Sequence, residues 1–243
     1  MGLRMVVVSG IPSPWSEAAK GIFHVKRIPW KAVRLDARND AMAEWTKERS
    51  GPVAFFEGEP PRAGWVQILL LAERLAREPA LLPGEPLERA RAFGIAHEIC
   101  GEQGLIWARR LQAVHAGLHG EPGGFPESVA QYLAGKYGYR ADEAQGYPGR
   151  VSELLGMLAG LLHAQRRQGS RYYAGESLSA VDIYSATAMA MFKPLPPEQC
   201  PMIELIRPTL EFLDESMAKA LDPILLEHRD FIYRDWLELP LTL

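Results

Sequence analysis

The chain has 243 residues, of which 47% are hydrophobic and 23% are charged, and its formal net charge at pH 7 is −3. This length allows one large domain or two modest domains, each with its own core. The composition is typical of an ordinary soluble globular protein, and the small negative charge gives no reason to expect nucleic acid or an anionic membrane as a partner.

The sequence predicts a cytoplasmic location. The apolar part of the first nine residues is too short for a signal peptide, and no uninterrupted apolar run approaches the ~20 residues that span a bilayer. Position 6 is Val6, whereas the N-myristoylation motif requires serine or threonine there. The two cysteines, Cys100 and Cys200, make no disulfide framework.

The first third of the chain alternates between strand and helix patterns. Residues 4–9 are a β-branched run typical of a buried strand, and residues 16–27 have apolar positions at helical spacing. Residues 30–36 alternate, with Val33 and Leu35 on one face of a second strand. A β-α-β unit of about 35 residues suits a parallel crossover. A short helix over 40–47, a strand over 53–56 and a helix over 64–75 follow.

Three prolines and a glycine within residues 78–86 indicate a domain boundary. We therefore predict a first domain over 1–77, a linker over 78–86 and a second domain over 87–243. All the patterns beyond the linker are helical. The predicted helices span 87–118, 127–136, 151–168, 179–192, 208–220 and 223–236.

The entry to the helix predicted over 179–192 carries a capping box. Ser179 and Asp182 stand three residues apart, so that each side chain can bond the backbone N–H of the other. The Asp182 carboxylate also lies at the positive end of the helix dipole. The residues that follow leave no wide polar face, which is typical of a buried helix. We expect this helix to be the centre of an all-α region.

The Gly-x-x-Leu-Ser-x-x-Asp pattern of residues 175–182 resembles the N-capping motif of the glutathione transferase C-terminal domain. The Gly-Pro-Val tripeptide at 51–53 and Ser13-Pro14 at the first helix resemble other parts of that family. The resemblance implies an α/β thioredoxin-like N-terminal domain that binds glutathione, followed by an all-α helical-bundle C-terminal domain. It also implies a homodimer, and glutathione as a co-substrate with no other cofactor.

Ser13 is the candidate catalytic residue. In thioredoxin-like folds the turn after the first strand presents the reactive group, and the family resemblance places Ser13 there. A hydroxyl that donates to the sulfur, together with a helix N-terminus, stabilises the thiolate of a thiol whose ordinary pKa is about 8.5. Ser9 and Ser16 are alternatives, and Ser13 could also be a simple N-cap before Pro14. Serine replaces both motif cysteines, so we expect no thiol–disulfide exchange and a serine-type or atypical member.

The resemblance also implies a set of glutathione-binding residues. In the family, the proline before the third strand has a cis peptide bond, and the preceding residue pairs with the cysteinyl part of glutathione. The start of the third helix departs from the family, because Gly64-Trp65 stands where Glu/Gln-Ser usually holds the γ-glutamyl carboxylate. The helix amides remain an anion site, and Arg62 could supply charge. The candidate glutathione-binding residues are Trp15, Gly51, Pro52, Val53, Arg62, Gly64 and Trp65.

The second substrate is expected to bind residues of the helical domain, for each of which core packing or a solvated face is the alternative. The candidates are Trp107 and Arg110, with His97, Arg109 and Tyr132 as further possibilities. We predict no metal site, because His115 and His119 share a helix face without a third ligand. The predicted function is glutathione transfer to a small hydrophobic electrophile. The alternative is a non-catalytic binding or scaffold protein of the same fold, which the Gly64-Trp65 departure favours.

Overall fold

The protein is described from a computed structural model that covers residues 2–243. Within those residues the chain forms three strands and eleven α-helices. In order, they are β1 (Leu3–Val7), α1 (Pro14–Val25), β2 (Trp30–Arg34), α2 (Asp40–Thr46), β3 (Val53–Phe55), α3 (Trp65–Leu75), α4 (Pro86–Cys100), α5 (Leu105–Leu118), α6 (Glu127–Tyr137), α7 (Tyr147–Arg167), α8 (Ala180–Ala188), α9 (Arg207–Glu211), α10 (Glu215–Ala220) and α11 (Pro223–Trp236). In this part of the chain, no helix has the length and hydropathy needed to span a bilayer.

The sheet has the order β2-β1-β3, with β1 at its centre. β1 pairs parallel to β2, as the β-α-β pattern predicts, and antiparallel to β3. Four of the five β1 residues are buried, which explains the continuous apolar run in its sequence. β2 is an edge strand that ends at Arg34, and its Val33 is only half-buried. Leu35 therefore lies beyond the strand in which we predicted it.

Two prolines limit the sheet after β3. Pro60 and Pro61 lack the N–H groups that a strand donates to its neighbour. After these prolines the chain pairs with β3 at Arg62, which exchanges two backbone hydrogen bonds of 2.9 Å with Ala54 as an isolated bridge.

α8 is the buried central helix that the sequence predicts, and all nine of its residues are buried. It packs against α1, α4 and α11. The predicted capping box is present, and the Asp182 carboxylate accepts the backbone N–H of Ser179 at 2.8 Å. The α-helix is shorter than predicted, because after Ala188 the chain tightens into a 3₁₀ turn over Met189–Met191.

The single helix predicted over 87–118 is wrong, because α4 and α5 are separate helices. Gly101 and Gly104 lie against the last turn of α4, and the Gly101 N–H donates to the His97 carbonyl at 2.7 Å. A Cβ atom on Gly104 would lie 2.8 Å from the Glu98 carbonyl oxygen. The chain can therefore turn tightly here only because both residues lack a side chain.

The helix predicted over 208–220 is likewise two helices. α9 ends at Glu211, and α10 begins after Asp214. The Asp214 carboxylate accepts the Met217 N–H at 2.8 Å and so caps the second helix. Aspartate at this position therefore starts a new helix instead of continuing the old one.

One hydrophobic core runs through both halves of the chain. The predicted linker, 78–86, follows α3 and ends at the first residue of α4, and its Leu81 and Leu82 are buried in that core. The Leu81 carbonyl accepts the Ala180 N–H at 2.8 Å, and the Tyr184 hydroxyl donates to the Trp65 carbonyl at 3.2 Å. These contacts attach the start of α8 to the sheet-bearing part of the chain.

Candidate functional site

A cleft of about 690 Å³ opens between the sheet-bearing part of the chain and α5 and α6. We call it the central cleft. On the sheet side it is lined by Val8, Ile11, Ser13, residues 34–38 and Gly51, and on the helical side by Arg110, Ser128, Val129, Tyr132, Leu133, Lys136 and Tyr137.

Ser13 lies at the wall of the central cleft, immediately before α1. β1 ends at Val7, and the chain turns through Gly10, whose φ of +77° is one that favours glycine. Ser13 is the N-cap residue of α1, but its hydroxyl makes no hydrogen bond to the helix. The first helical residue is Pro14, a common residue at that position, and the Ser13 side chain accepts none of the N–H groups of the first turn. The Ser13 hydroxyl is therefore not used by the helix start.

The alternative serines have different surroundings. Ser16 is fully buried, and its hydroxyl accepts the Val8 N–H at 3.3 Å, so it holds the end of β1 against α1. Ser9 is half-buried and lies outside the lining of the cleft. Of the three serines considered from the sequence, only Ser13 lines the cleft.

Gly51 lines the cleft just before β3 begins. The Gly51-Pro52 peptide bond is cis, which confirms that expectation. A Cβ atom on Gly51 would lie 3.3 Å from the Val6 carbonyl oxygen, so its backbone packs closely on β1. Pro52 and Val53 are buried behind it. The backbone of Gly51 is thus the part of this segment that is accessible from the cleft.

The other candidate glutathione-binding residues lie outside the cleft lining. The Arg62 guanidinium pairs with the Glu59 carboxylate at 2.7 Å and also donates to the Pro60 carbonyl at 2.9 Å. Gly64 is the N-cap residue of α3. The Trp65 ring packs edge-on against Tyr184, with the ring centroids 5.5 Å apart. Trp65 thus joins the two halves of the chain.

Trp15 lies behind the helical wall of the cleft. Its indole N–H donates to the Cys100 carbonyl at 2.9 Å. Its ring stacks on Tyr137 with 6.0 Å between centroids, and the Arg110 guanidinium carbon lies 5.0 Å from it. Trp15 therefore contacts two residues that line the cleft, Tyr137 and Arg110, but does not line it itself.

The candidates for the second substrate separate into different environments. Arg110 and Tyr132 line the central cleft. Trp107 packs edge-on against Tyr137 and lines a neighbouring cavity of about 410 Å³. Arg109 is buried and donates to three backbone carbonyls, and burial lowers its pKa to about 10. His97 is exposed at the end of α4, with its ring centroid 6.5 Å from that of Trp65.

Sequence reasoning missed most of the contribution of α6. Ser128, Tyr132 and Lys136 recur at intervals of four residues, and so do the neighbouring Val129, Leu133 and Tyr137. Residues at this spacing lie on one helix face, and all six line the cleft. The periodicity could therefore have identified a mixed polar and apolar face, although not what it faces.

The cleft is predominantly cationic. Its lining includes the basic side chains Arg34, Arg38, Arg110 and Lys136, and the carboxylate of Asp36. Burial lowers the pKa of Lys136, and Arg110 lowers it further by charge repulsion. Burial also raises the pKa of Tyr132. This arrangement of cations favours an anionic ligand.

Known structures resemble the whole chain, whereas no protein-family model and no curated protein matches it. A glutathione S-transferase from Methylobacterium radiotolerans, in complex with glutathione sulfonate, is 17% identical with a TM-score of 0.61, and the match covers 96% of this chain and 91% of that one. A glutathione S-transferase from Methylobacillus flagellatus with GSH bound is 14% identical with a TM-score of 0.66, covering 96% and 95%. A maleylacetoacetate isomerase from Anaeromyxobacter dehalogenans with bound dicarboxyethyl glutathione is 16% identical with a TM-score of 0.54, covering 96% and 86%. The protein therefore has the glutathione transferase fold, with a thioredoxin-like N-terminal part and a helical C-terminal part.

Proposed function

We propose that the protein binds glutathione in the central cleft and activates its thiol for attack on a small electrophile. The observation that carries this proposal is Ser13, which is only 4% exposed but lines the cleft at the start of α1, and whose hydroxyl makes no bond to the helix. The neighbours with glutathione sulfonate or GSH bound support the choice of ligand.

Catalysis would depend on the ionisation of the glutathione thiol. The Ser13 hydroxyl would donate a hydrogen bond to the sulfur, and the positive end of the α1 dipole would add to its effect. Both favour the thiolate, so the thiol proton passes to solvent at a lower pH than for free glutathione. The sulfur then forms a bond to the electrophilic carbon, and a leaving group such as chloride departs with the electron pair of the broken bond.

The proposal can be tested with two serines of the same cleft. We expect Ser13→Ala to bind glutathione but to lower the rate of conjugation by about 100-fold, since removing one hydrogen-bond donor to a developing anion typically costs 10²–10³ in rate. Ser128→Ala is the matched control, because Ser128 is exposed on α6 and lines the same cleft. Calorimetry measures glutathione binding, ultraviolet absorbance of the thiolate gives its pKa, and chlorodinitrobenzene reports the rate. Equal rates and equal thiol pKa values in wild type and Ser13→Ala would contradict the serine mechanism.

A non-catalytic binding or scaffold protein is the second candidate function. It is favoured by Gly64-Trp65 at the start of α3, which supplies no serine hydroxyl there, and by the pairing of the Arg62 guanidinium with the Glu59 carboxylate. Under this alternative, wild-type protein would fail to bind glutathione in the calorimeter and would not accelerate conjugation.

A homodimer in the cytoplasm is also part of the proposal. It follows from the family resemblance, and light scattering coupled to size-exclusion chromatography measures the mass directly. A mass of one chain, 27.1 kDa, at all protein concentrations would contradict the dimer.

A further inference from the structure

Arg110 is a buried cation without a counter-ion. It is only 7% exposed, yet it lines the central cleft. Nη1 donates to the Tyr137 hydroxyl at 3.2 Å, Nη2 approaches the Met191 sulfur at 3.8 Å, and Nε has no partner. No carboxylate in residues 2–243 lies within 4.0 Å of its guanidinium. Since a buried charge is costly unless it is paired and hydrogen-bonded, Arg110 needs an anion.

The preceding residue shows how this fold satisfies a structural arginine. Arg109 is 2% exposed, and its guanidinium donates to the carbonyls of Met191, Thr209 and Phe212 at 3.0–3.2 Å. These bonds fasten α5 to the chain around α9. Arg110 has no such set of acceptors, although it stands on the same helix. The Arg110 guanidinium is therefore not held by backbone carbonyls as that of Arg109 is.

Two aromatic rings hold the Arg110 guanidinium in place. Its central carbon lies 5.0 Å from the ring centroid of Trp15 and 5.0 Å from that of Tyr137. Cation–π contacts of this kind stabilise and orient a guanidinium without neutralising it. A guanidinium fixed in this way can form two parallel hydrogen bonds to a carboxylate with little loss of conformational freedom.

Lys136 supplies a second cation beside Arg110. Its ammonium group lies 5.3 Å from the centroid of the Tyr137 ring and 5.8 Å from that of Tyr132. It too forms no ion pair within residues 2–243. Two like charges that repel each other across one cavity, each without a carboxylate partner, are both stabilised when an anion binds between them.

The apolar residues nearby limit the kind of anion. Val129 and Leu133 line the cleft on the same face of α6 that carries Lys136. A ligand that fits both features has a compact apolar skeleton and one carboxylate or similar anionic group. Asp36, across the cleft, is flanked by Arg34 and Arg38, so the sheet side does not exclude such a ligand.

We propose that the second substrate of the central cleft is an anionic electrophile, whose carboxylate binds Arg110 and Lys136 while its reactive carbon faces the sulfur beside Ser13. This proposal rests on the proposed function. It adds an anionic group to the small hydrophobic electrophile that the family resemblance implies.

Binding can be measured apart from catalysis with a matched pair of probes that lack a leaving group, dinitrobenzoate and dinitrobenzamide. We expect glutathione-saturated wild-type protein to bind the benzoate about tenfold more tightly than the amide, as calorimetry would show. Arg110→Met should abolish that preference, and Lys136→Met should reduce it. Arg140→Met is the control, because Arg140 is exposed and paired with Asp142 outside the cleft. Near-ultraviolet circular dichroism verifies that each variant folds. If Arg110→Met does not fold, the benzoate preference of Lys136→Met tests the proposal instead.

Reaction rates provide a second readout. With chlorodinitrobenzoate and its amide as substrates, Arg110→Met should raise the KM of the benzoate about tenfold and leave that of the amide unchanged. Equal binding of benzoate and amide by the wild type would overturn the inference while leaving thiol activation intact. A preference for the benzoate that is present without glutathione but lost when glutathione is bound would also overturn the inference. Arg110 and Lys136 would then bind a carboxylate of glutathione itself. If the protein binds no glutathione but still prefers the benzoate to the amide, the proposed function is overturned and only an anion-binding site remains.

Discussion

At the scale of single residues, Asp182 shows what a fully satisfied buried charge does in this protein. Its carboxylate is completely buried and accepts hydrogen bonds from the Ser179 N–H and hydroxyl, the Tyr173 N–H and His228 Nε2, at 2.6–3.0 Å. One side chain thus connects the start of α8, the loop before it and α11. The capping box that the sequence predicts is only half of this arrangement.

We expect Asp182→Ala to lower the free energy of unfolding by about 3–5 kcal/mol, because it leaves several buried donors without an acceptor. Urea denaturation followed by circular dichroism measures the change. Asp142→Ala is the control, since Asp142 is exposed and paired only with Arg140, and should change stability by about 0.5 kcal/mol or less. Equal effects of the two substitutions would show that the Asp182 network does not stabilise the fold.

Ser13 and Arg110 show the limit of prediction at this scale. The sequence places Ser13 before a helix, but only the structure shows that its hydroxyl is unused by the helix and that the residue lines a cleft. Arg109 and Arg110 are adjacent and chemically identical, and the pattern of the sequence cannot distinguish them. They differ because successive helical residues point about 100° apart, towards backbone carbonyls in one case and towards the cleft in the other.

At the scale of secondary-structure elements, the break between α4 and α5 decides where Arg110 lies. Both helices have good helical sequences, which is why periodicity predicts a single helix over 87–118. The interruption depends on Gly104, whose backbone approaches the carbonyl oxygens of His97, Glu98 and Gly101. Two glycines within a helical pattern are a weak signal, because isolated glycines are tolerated in helices.

We expect Gly104→Ala to lower the free energy of unfolding by about 1–3 kcal/mol, because its Cβ atom would lie 2.8–2.9 Å from three backbone oxygens. Gly94→Ala is the matched control within α4, since a Cβ atom there would meet no heavy atom within 4 Å. That substitution should stabilise the protein by about 0.5–1 kcal/mol through helix propensity. Urea denaturation of both variants tests the pair, and a stabilising Gly104→Ala would show that the break does not require glycine.

At the scale of the whole molecule, the continuous core joins the sheet-bearing and helical parts. α8 contacts α1 on one side and α4 and α11 on others, and each of its residues is buried. A Cβ atom on Gly21 of α1 would lie 2.8 Å from the Leu237 side chain and 3.3 Å from the Ile183 side chain, so the lack of a side chain at Gly21 favours close packing there. Neither part can lose its structure without exposing apolar surface on the other.

We therefore expect a single unfolding transition in urea. Tryptophan fluorescence reports on both parts, through Trp30 and Trp45 in the first and Trp107 and Trp236 in the second. The midpoint of the unfolding transition followed by fluorescence should coincide with the midpoint followed by far-ultraviolet circular dichroism, which mainly reports on the helices. Two separated transitions would show that the parts unfold independently despite their shared core.

The sequence alone determines the local structure of this protein. Hydrophobic periodicity, prolines and capping residues act over a few neighbouring residues, so most strands and helices, the cap of α8 and the start of α1 at Pro14 could be predicted from it. Tertiary structure alone decides which polar groups share a cavity. Ser13, Gly51, Arg110 and Lys136 are far apart in sequence and meet only because β1, α5 and α6 pack around one cleft. Local patterns carry no information on such contacts, since they depend on the packing of the whole chain.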